Sequence, residues 1–228
     1  MKERAITARI SLVGVGFGAL LLSGCLLSPQ VTQLERMKRN RDAGDLESNS
    51  RVTLTCTATD TACYQLHLIK GDACSALAAR AAIDNPVRRS LDACAADNLL
   101  EGVSLSAAEH TPVGDMRLYR LERLEALRDL IDTRHAQDSS ADTLAQAAQD
   151  FRNRYAGDPA GPLYLASARL TVAQDKVLRG DRDPTLCSSL ADIDSIASGG
   201  SAAPGDLQAQ YHNLAKSIAD MRRSGGCT

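Results

Sequence analysis

Apolar residues recur along most of this chain at helical rather than strand spacing. Leu118, Leu121, Leu124, Leu127 and Ile131 stand three or four apart with Glu and Arg between them, one apolar stripe on an otherwise charged cylinder. Leu144, Ala148, Phe151 and Tyr155 follow Ser139-x-x-Asp142, a spacing that suits a capping box at a helix start. Leu163, Ser167, Leu170, Ala173 and Val177 form another stripe. The clearest is Leu207, Tyr211, Leu214, Ile218 and Met221, at i, i+4, i+7, i+11 and i+14. Asn85 followed by Pro86 reads as an N-cap with proline at N1, opening a helix through Val87, Leu91, Ala95 and Leu99, and Asp60 is placed to cap a helix carrying Leu66 and Ile69. Only Arg51 to Cys56 alternates as a strand would, and a lone strand of that length gains too little to be more than extended loop.

Gly-Asp recurs at residues 44, 71, 114, 157, 180 and 205. Glycine takes the left-handed conformation that ends a helix, and the next Asp accepts from free N–H groups that start another, so each pair is expected to mark a joint between helices. The fold class expected is all-α, with helical hairpins stacked in an array or an irregular bundle.

The N-terminus has a different pattern. Met1 to Arg4 and Arg9 form a positively biased head, and Ile10 to Leu22 is an uncharged apolar run ending in Leu22-Ser23-Gly24-Cys25. About 13 residues at ~1.5 Å each span roughly 20 Å, short of the ~30 Å hydrocarbon core, so this is a signal peptide and not a membrane span. Leu22-Ser23-Gly24-Cys25 resembles the lipobox of bacterial lipoproteins. The resemblance implies cleavage before Cys25, lipid on its thiol and amine, and several buried acyl chains that anchor stably where one would not. Leu26, in place of the Asp that tends to retain such proteins at the inner membrane, implies transfer to the outer membrane of a Gram-negative host, on the periplasmic side. The expected organisation is a signal peptide over 1–24, a lipid-anchored polar tether with one loose helix over 25–59, and a helical domain over 60–228.

Loss of Lys2, Arg4, Arg9 and Glu3 from 26 basic and 28 acidic side chains leaves 23 and 27, a net charge near −4. A nucleic-acid partner is not expected: there is no Trp, and Phe151 is the one Phe beyond the signal. The basic run Arg36, Lys38, Arg39 and Arg41 reads as a solvated helix face close to the lipid.

Beyond Cys25, six cysteines remain: Cys56, Cys63, Cys74, Cys94, Cys187 and Cys227. An even count in an oxidising compartment reads as disulfides, with 15 connectivities open. A hairpin turning near Asn85-Pro86 sets Cys74 and Cys94 about ten residues to either side, facing each other. Cys187 and Cys227 are then the C-terminal pair, and Cys56 is left with Cys63. No Cys-x-x-Cys occurs, and His67, His110, His135 and His212 are scattered singly, so neither a metal nor another cofactor is expected.

Laying the 34-residue tetratricopeptide pattern with its terminal proline on Pro86 puts Ala62, Cys74, Ala78 and Ala81 on positions that take small residues. Over those 30 or so residues the chain resembles tetratricopeptide-like helical hairpins. Thr61 and Gln65 depart from the pattern, and no later stretch repeats it.

No nucleophile elbow, phosphate-cradling glycine loop or His-Glu-x-x-His is present. Glu101, His110 and Asp115 lie near an expected interhelix loop as an acid and base set whose geometry nothing in the sequence fixes. His67 is expected to be partly buried, and His212 to face solvent or a partner. Two functions follow. The first, implied by the resemblance to tetratricopeptide-like lipoproteins of secretion, pilus or wall-associated machines, is a non-enzymatic interaction module of the cell envelope, held to the membrane by Cys25 and presenting a helical face to an envelope protein. The second is a lipid-tethered hydrolase of the wall or another envelope substrate, and a purely structural envelope protein is the plain third. An apolar, aromatic-poor groove between helices favours the first, and converging polar residues of perturbed ionisation favour the second.

Overall fold

In the computed structural model, residues 28–82, 85–108, 116–131, 140–180, 184–200, 203 and 205–227 are described. Among them are nine helices and no strand: α1 (Pro29–Asp42), α2 (Leu46–Arg51), α3 (Cys63–Arg80), α4 (Pro86–Ala108), α5 (Met116–Leu130), α6 (Ser140–Arg154), α7 (Ala160–Leu178), α8 (Leu186–Ser198) and α9 (Asp206–Ser224). Each helix from α3 onward packs on the next, and α3, α5, α7 and α9 also pack on one another in succession, with no comparable packing of α4 on α6 or α6 on α8. The odd helices therefore form one layer and the even helices the other, as in an array of hairpins. α8, whose Leu186, Leu190, Ile193 and Ala197 are buried, is a helix the sequence pattern did not single out.

Three disulfides close the chain: Cys56–Cys63, Cys74–Cys94 and Cys187–Cys227, the pairing expected from spacing. The second ties α3 to α4, the most extensive helix pair. That pair also explains Gly71, which lies in the middle of α3 and not at a joint between helices. A Cβ there would sit 2.7 Å from Leu99 Cγ and 3.1 Å from its backbone N, and the reciprocal Gly102 would meet Leu68 in the same way. The two glycines let the helix axes approach closely. Gly44 and Gly157, with φ of 74° and 89°, do join helices, and the Asp after each works as expected: Asp45 Oδ1 accepts from Ser48 N, and Asp158 Oδ1 from Ala160 N. Gly114-Asp115, Asp181 and Ser139 lie outside the described residues.

Asn85 Oδ1 accepts from Val87 N at the start of α4, as the Asn-Pro step predicts. Asp60 does not cap α3. Its carboxylate accepts from Thr57 N at 2.7 Å and closes the turn before the helix.

The tether expected over 25–59 needs correction, because residues 29–56 are packed. Leu34 and Met37 of α1 join Ala62, Leu66 and Ile69 in one apolar cluster, with Val52, Leu54 and Cys56 against it. Polar side chains complete the docking. Gln33 Nε2 donates to Thr53 O and Lys70 Nζ to Val52 O, satisfying the extended segment that has no strand partner. Asn49, fully buried, donates to Met37 O and accepts from Asn40 Nδ2. Burial of this arm rests on amide hydrogen bonds as much as on apolar area, which is why its polar composition reads as a tether.

Two larger clusters fill the body. One runs through α3 to α7 around Leu99, Leu124, Leu144, Phe151 and Tyr164, and the other joins α7, α8 and α9 around Leu163, Leu190, Tyr211 and Ile218. The stripes of α6, α7 and α9 lie in these clusters, while Leu118, first of the α5 stripe, is half exposed.

Candidate functional site

α6, α7 and α8 leave a groove of about 330 Å³ between them. Its floor is Ala145, Ala168, Val172 and Ile193, and its rim carries Asp142 and Asp192 of one sign and Arg169 and Lys176 of the other. No aromatic side chain among the described residues lines it. Small residues make the groove: Ala145 on α6 and Ala168 and Ala173 on α7 leave room where larger side chains would close the helices together. Leu186 and Ile193 of α8, anchored in the C-terminal cluster, form its far wall.

The carboxylates of perturbed ionisation lie elsewhere. α5 is packed against α3, α4, α6 and α7, so its polar face is partly enclosed. There burial pushes Glu122 up to about 7, helped by the like charges of Asp72 and Glu125. One Glu122 carboxylate oxygen is buried without a hydrogen-bond partner. Asp92 of α4 is raised to about 6 by burial and by the nearby Asp129, partly opposed by Arg88. Arg88 bridges the two acids, at 2.5 Å from Asp129 and 3.8 Å from Asp92. Arg128 reaches from α5 to Gln210 of α9 at 2.7 Å and lies 5.5 Å above the ring of the buried Tyr164. These contacts pin α5 to its neighbours. Neither Glu122 nor Asp92 lines the groove.

The sign of the resulting pH dependence follows from the two acids. In the unfolded chain each titrates near 4, so between that pH and their folded values the native state holds protons the unfolded state has released. Stability therefore falls as pH rises from about 5 to 8. Glu122→Gln should remove on the order of 1 kcal/mol of that fall, after allowance for solvent screening. Urea midpoints at pH 5 and pH 8 for both proteins measure it, and a variant as pH-sensitive as the parent contradicts it.

Of the residues singled out from sequence, Glu101 is exposed on α4, while Cys25, His110, Asp115 and His135 lie outside the described residues. His212 is exposed on α9. His67 is half-buried, and its Nδ1 is 3.0 Å from Asn98 Oδ1. Because Asn98 Nδ2 donates to Cys94 O, its Oδ1 is free to accept, which fixes the His67 proton on Nδ1. His67 also lies beside Cys56 and Cys63, whose sulfurs are bonded to each other and not offered to a metal. No helix among the described residues is long and apolar enough to cross a membrane.

No family model, no curated protein and no solved structure matches this chain.

Proposed function

We propose that this protein is a lipid-anchored, non-enzymatic interaction module of the bacterial cell envelope, held through Cys25 to the periplasmic face of the outer membrane. The groove between α6, α7 and α8 carries the reading: apolar, free of aromatic side chains and rimmed by both charge signs, it suits an amphipathic helix of an envelope protein. Such a helix lays its apolar ridge on Ala145, Ala168, Val172 and Ile193, with its basic side chains toward Asp142 and Asp192 and its acidic ones toward Arg169 and Lys176. The packed arm sharpens the picture of anchoring. Only three residue steps separate Cys25 from Ser28, which caps α1, so the lipid is attached within roughly 10 Å of the folded body. The module then sits against the membrane instead of sweeping out on a tether.

The test combines two substitutions in the native host. Cys25→Ser should move the protein from the membrane to the soluble periplasmic fraction. Val172→Arg, which puts a charge on the groove floor, should abolish a cross-linked complex that Val87→Arg, at an exposed site on α4, leaves intact. A complex insensitive to Val172→Arg contradicts the groove, and membrane retention of the Cys25→Ser variant contradicts the anchor.

The hydrolase reading draws on Glu122, since a carboxyl group that titrates near neutrality can act as a general acid. Its partners on α3 and α5 are further carboxylates, with no nucleophile and base pair among them. Wall hydrolysis abolished by Glu122→Gln would favour that reading over the adaptor.

A further inference from the structure

On the other side of α6 a second cavity, of about 340 Å³, opens between α4, α5 and α6. Among the described residues three arginines line it, Arg120 and Arg123 from one turn of α5 and Arg154 from the end of α6, with Asp150 as the one carboxylate. The described lining side chains therefore sum to +2. Burial pushes both α5 guanidinium groups down from their ordinary value, and like charge adds to it, Arg154 acting on Arg120 and Arg120 on Arg123. Asp150 offsets part of this at both arginines, joined by Tyr155, which hydrogen-bonds Arg120, and by Asp97 of α4 at Arg123. Arg123 Nε is nevertheless buried without a hydrogen-bond partner. A buried N–H of a charged group left without an acceptor is costly, and three guanidinium groups held together raise that cost further. An oxyanion in the cavity removes both. Beneath the arginines the wall is apolar: Val103, Leu124 and Phe151 are buried, and Leu100 at the edge is 44 % exposed.

We infer that Arg120, Arg123 and Arg154 form a binding site for a dianionic phosphate monoester group. Guanidinium forks match phosphate oxygens two at a time, and a dianion neutralises the lining charge where a monocarboxylate leaves half of it. The same chemistry comes from free phosphate or from a phosphate carried on an apolar body, and the apolar wall distinguishes the two by affinity. The site is separate from the groove and does not depend on the lipid anchor.

Calorimetric titration of the mature chain at pH 8, where both ligands are dianions, tests this with inorganic phosphate and with hexyl phosphate as probes. The result expected is saturable binding of at least one probe, weakened at least tenfold by Arg123→Gln and by Arg154→Gln. Arg154 is exposed, so its variant keeps the inference testable should Arg123→Gln destabilise the fold. Hexyl phosphate bound tenfold tighter than phosphate assigns the site to a phosphate-bearing amphiphile, and equal affinities assign it to the free anion. No saturable binding of either probe up to 10 mM, or binding that both variants leave unchanged, overturns the inference.

Discussion

Replacing Cys187 and Cys227 together by serine is expected to lower the unfolding free energy by about 4 kcal/mol and the melting temperature by roughly 10 °C. The bond joins the first turn of α8 to the tail beyond α9, at a sequence separation of 40, so it encloses the whole last antiparallel pair. Opening it restores the conformational freedom of that loop to the unfolded chain. In the folded chain Tyr211, Leu214 and Ile218 still hold α9 on α7 and α8, and Tyr211 Oη still donates to Pro159 O. The variant should therefore fold, melt early and lose its C-terminal helix first to protease. On the same loop-closure scale the Cys74–Cys94 bond, at a separation of 20, contributes about 3 kcal/mol and the Cys56–Cys63 bond, at 7, about 2. Thermal melts of the three double-serine variants check the order, and an unchanged melt for the Cys187/Cys227 variant contradicts it.

The second large effect is expected at the crossing of α3 and α4. Gly71→Val and Gly102→Val should each destabilise by about 3 kcal/mol, the upper end of the range for overpacked cores. A Cβ at either site meets a leucine Cγ or Cδ at 2.7 Å and a backbone nitrogen at 3.0 or 3.1 Å, so the helices must part and a side-chain rotation alone does not relieve the contact. The Cys74–Cys94 bond resists that separation and concentrates the strain there. Ala79→Val, on the exposed face of α3, is the control and should cost less than about 1 kcal/mol. Urea denaturation of the three proteins separates the contributions. If Gly71→Val behaves like the control, the close approach of the two helices is wrong.

These sites show which features were legible in the chain. The α9 stripe, the Asn85-Pro86 start and the joints at Gly44 and Gly157 are set by local spacing and backbone conformation, and each stands where the pattern puts it. Cys74–Cys94 is legible for the same reason, since the hairpin turn at Asn85-Pro86 sets the two cysteines facing each other, and the other two pairs follow as the cysteines left over. Gly71-Asp72 has the same two letters as the joints, but tertiary packing against Leu99 decided its role. The arm at 29–56 read as a tether because Gln33 and Asn49, which lock it, are polar residues whose burial depends on partners remote in sequence. The α8 pattern of Leu186, Leu190, Ile193 and Ala197 keeps helical spacing but is diluted by the serines and aspartates between them.

The candidate sites were legible only in part. Leu163, Leu170 and Ala173 were seen as a stripe, but the groove beside them exists because Ala145 and Ala168 are small, which no single stripe shows. The Arg and Glu residues of α5 stand in the sequence as the charged face opposite its apolar stripe. Packing by four other helices turns that face into a partly enclosed one, where Glu122 titrates near neutrality and Arg120, Arg123 and Arg154 converge on a cavity.

The measurement that bears most directly on the account is the intact mass, under non-reducing conditions, of the protein extracted from its native membrane. The expected mass is that of a chain beginning at Cys25, heavier by a diacylglyceryl group and an amide-linked acyl chain and lighter by the six protons of three disulfides. A soluble, unacylated product, or one retaining residues 1–24, would contradict the anchored module, and free thiols at the six cysteines would contradict the closed fold.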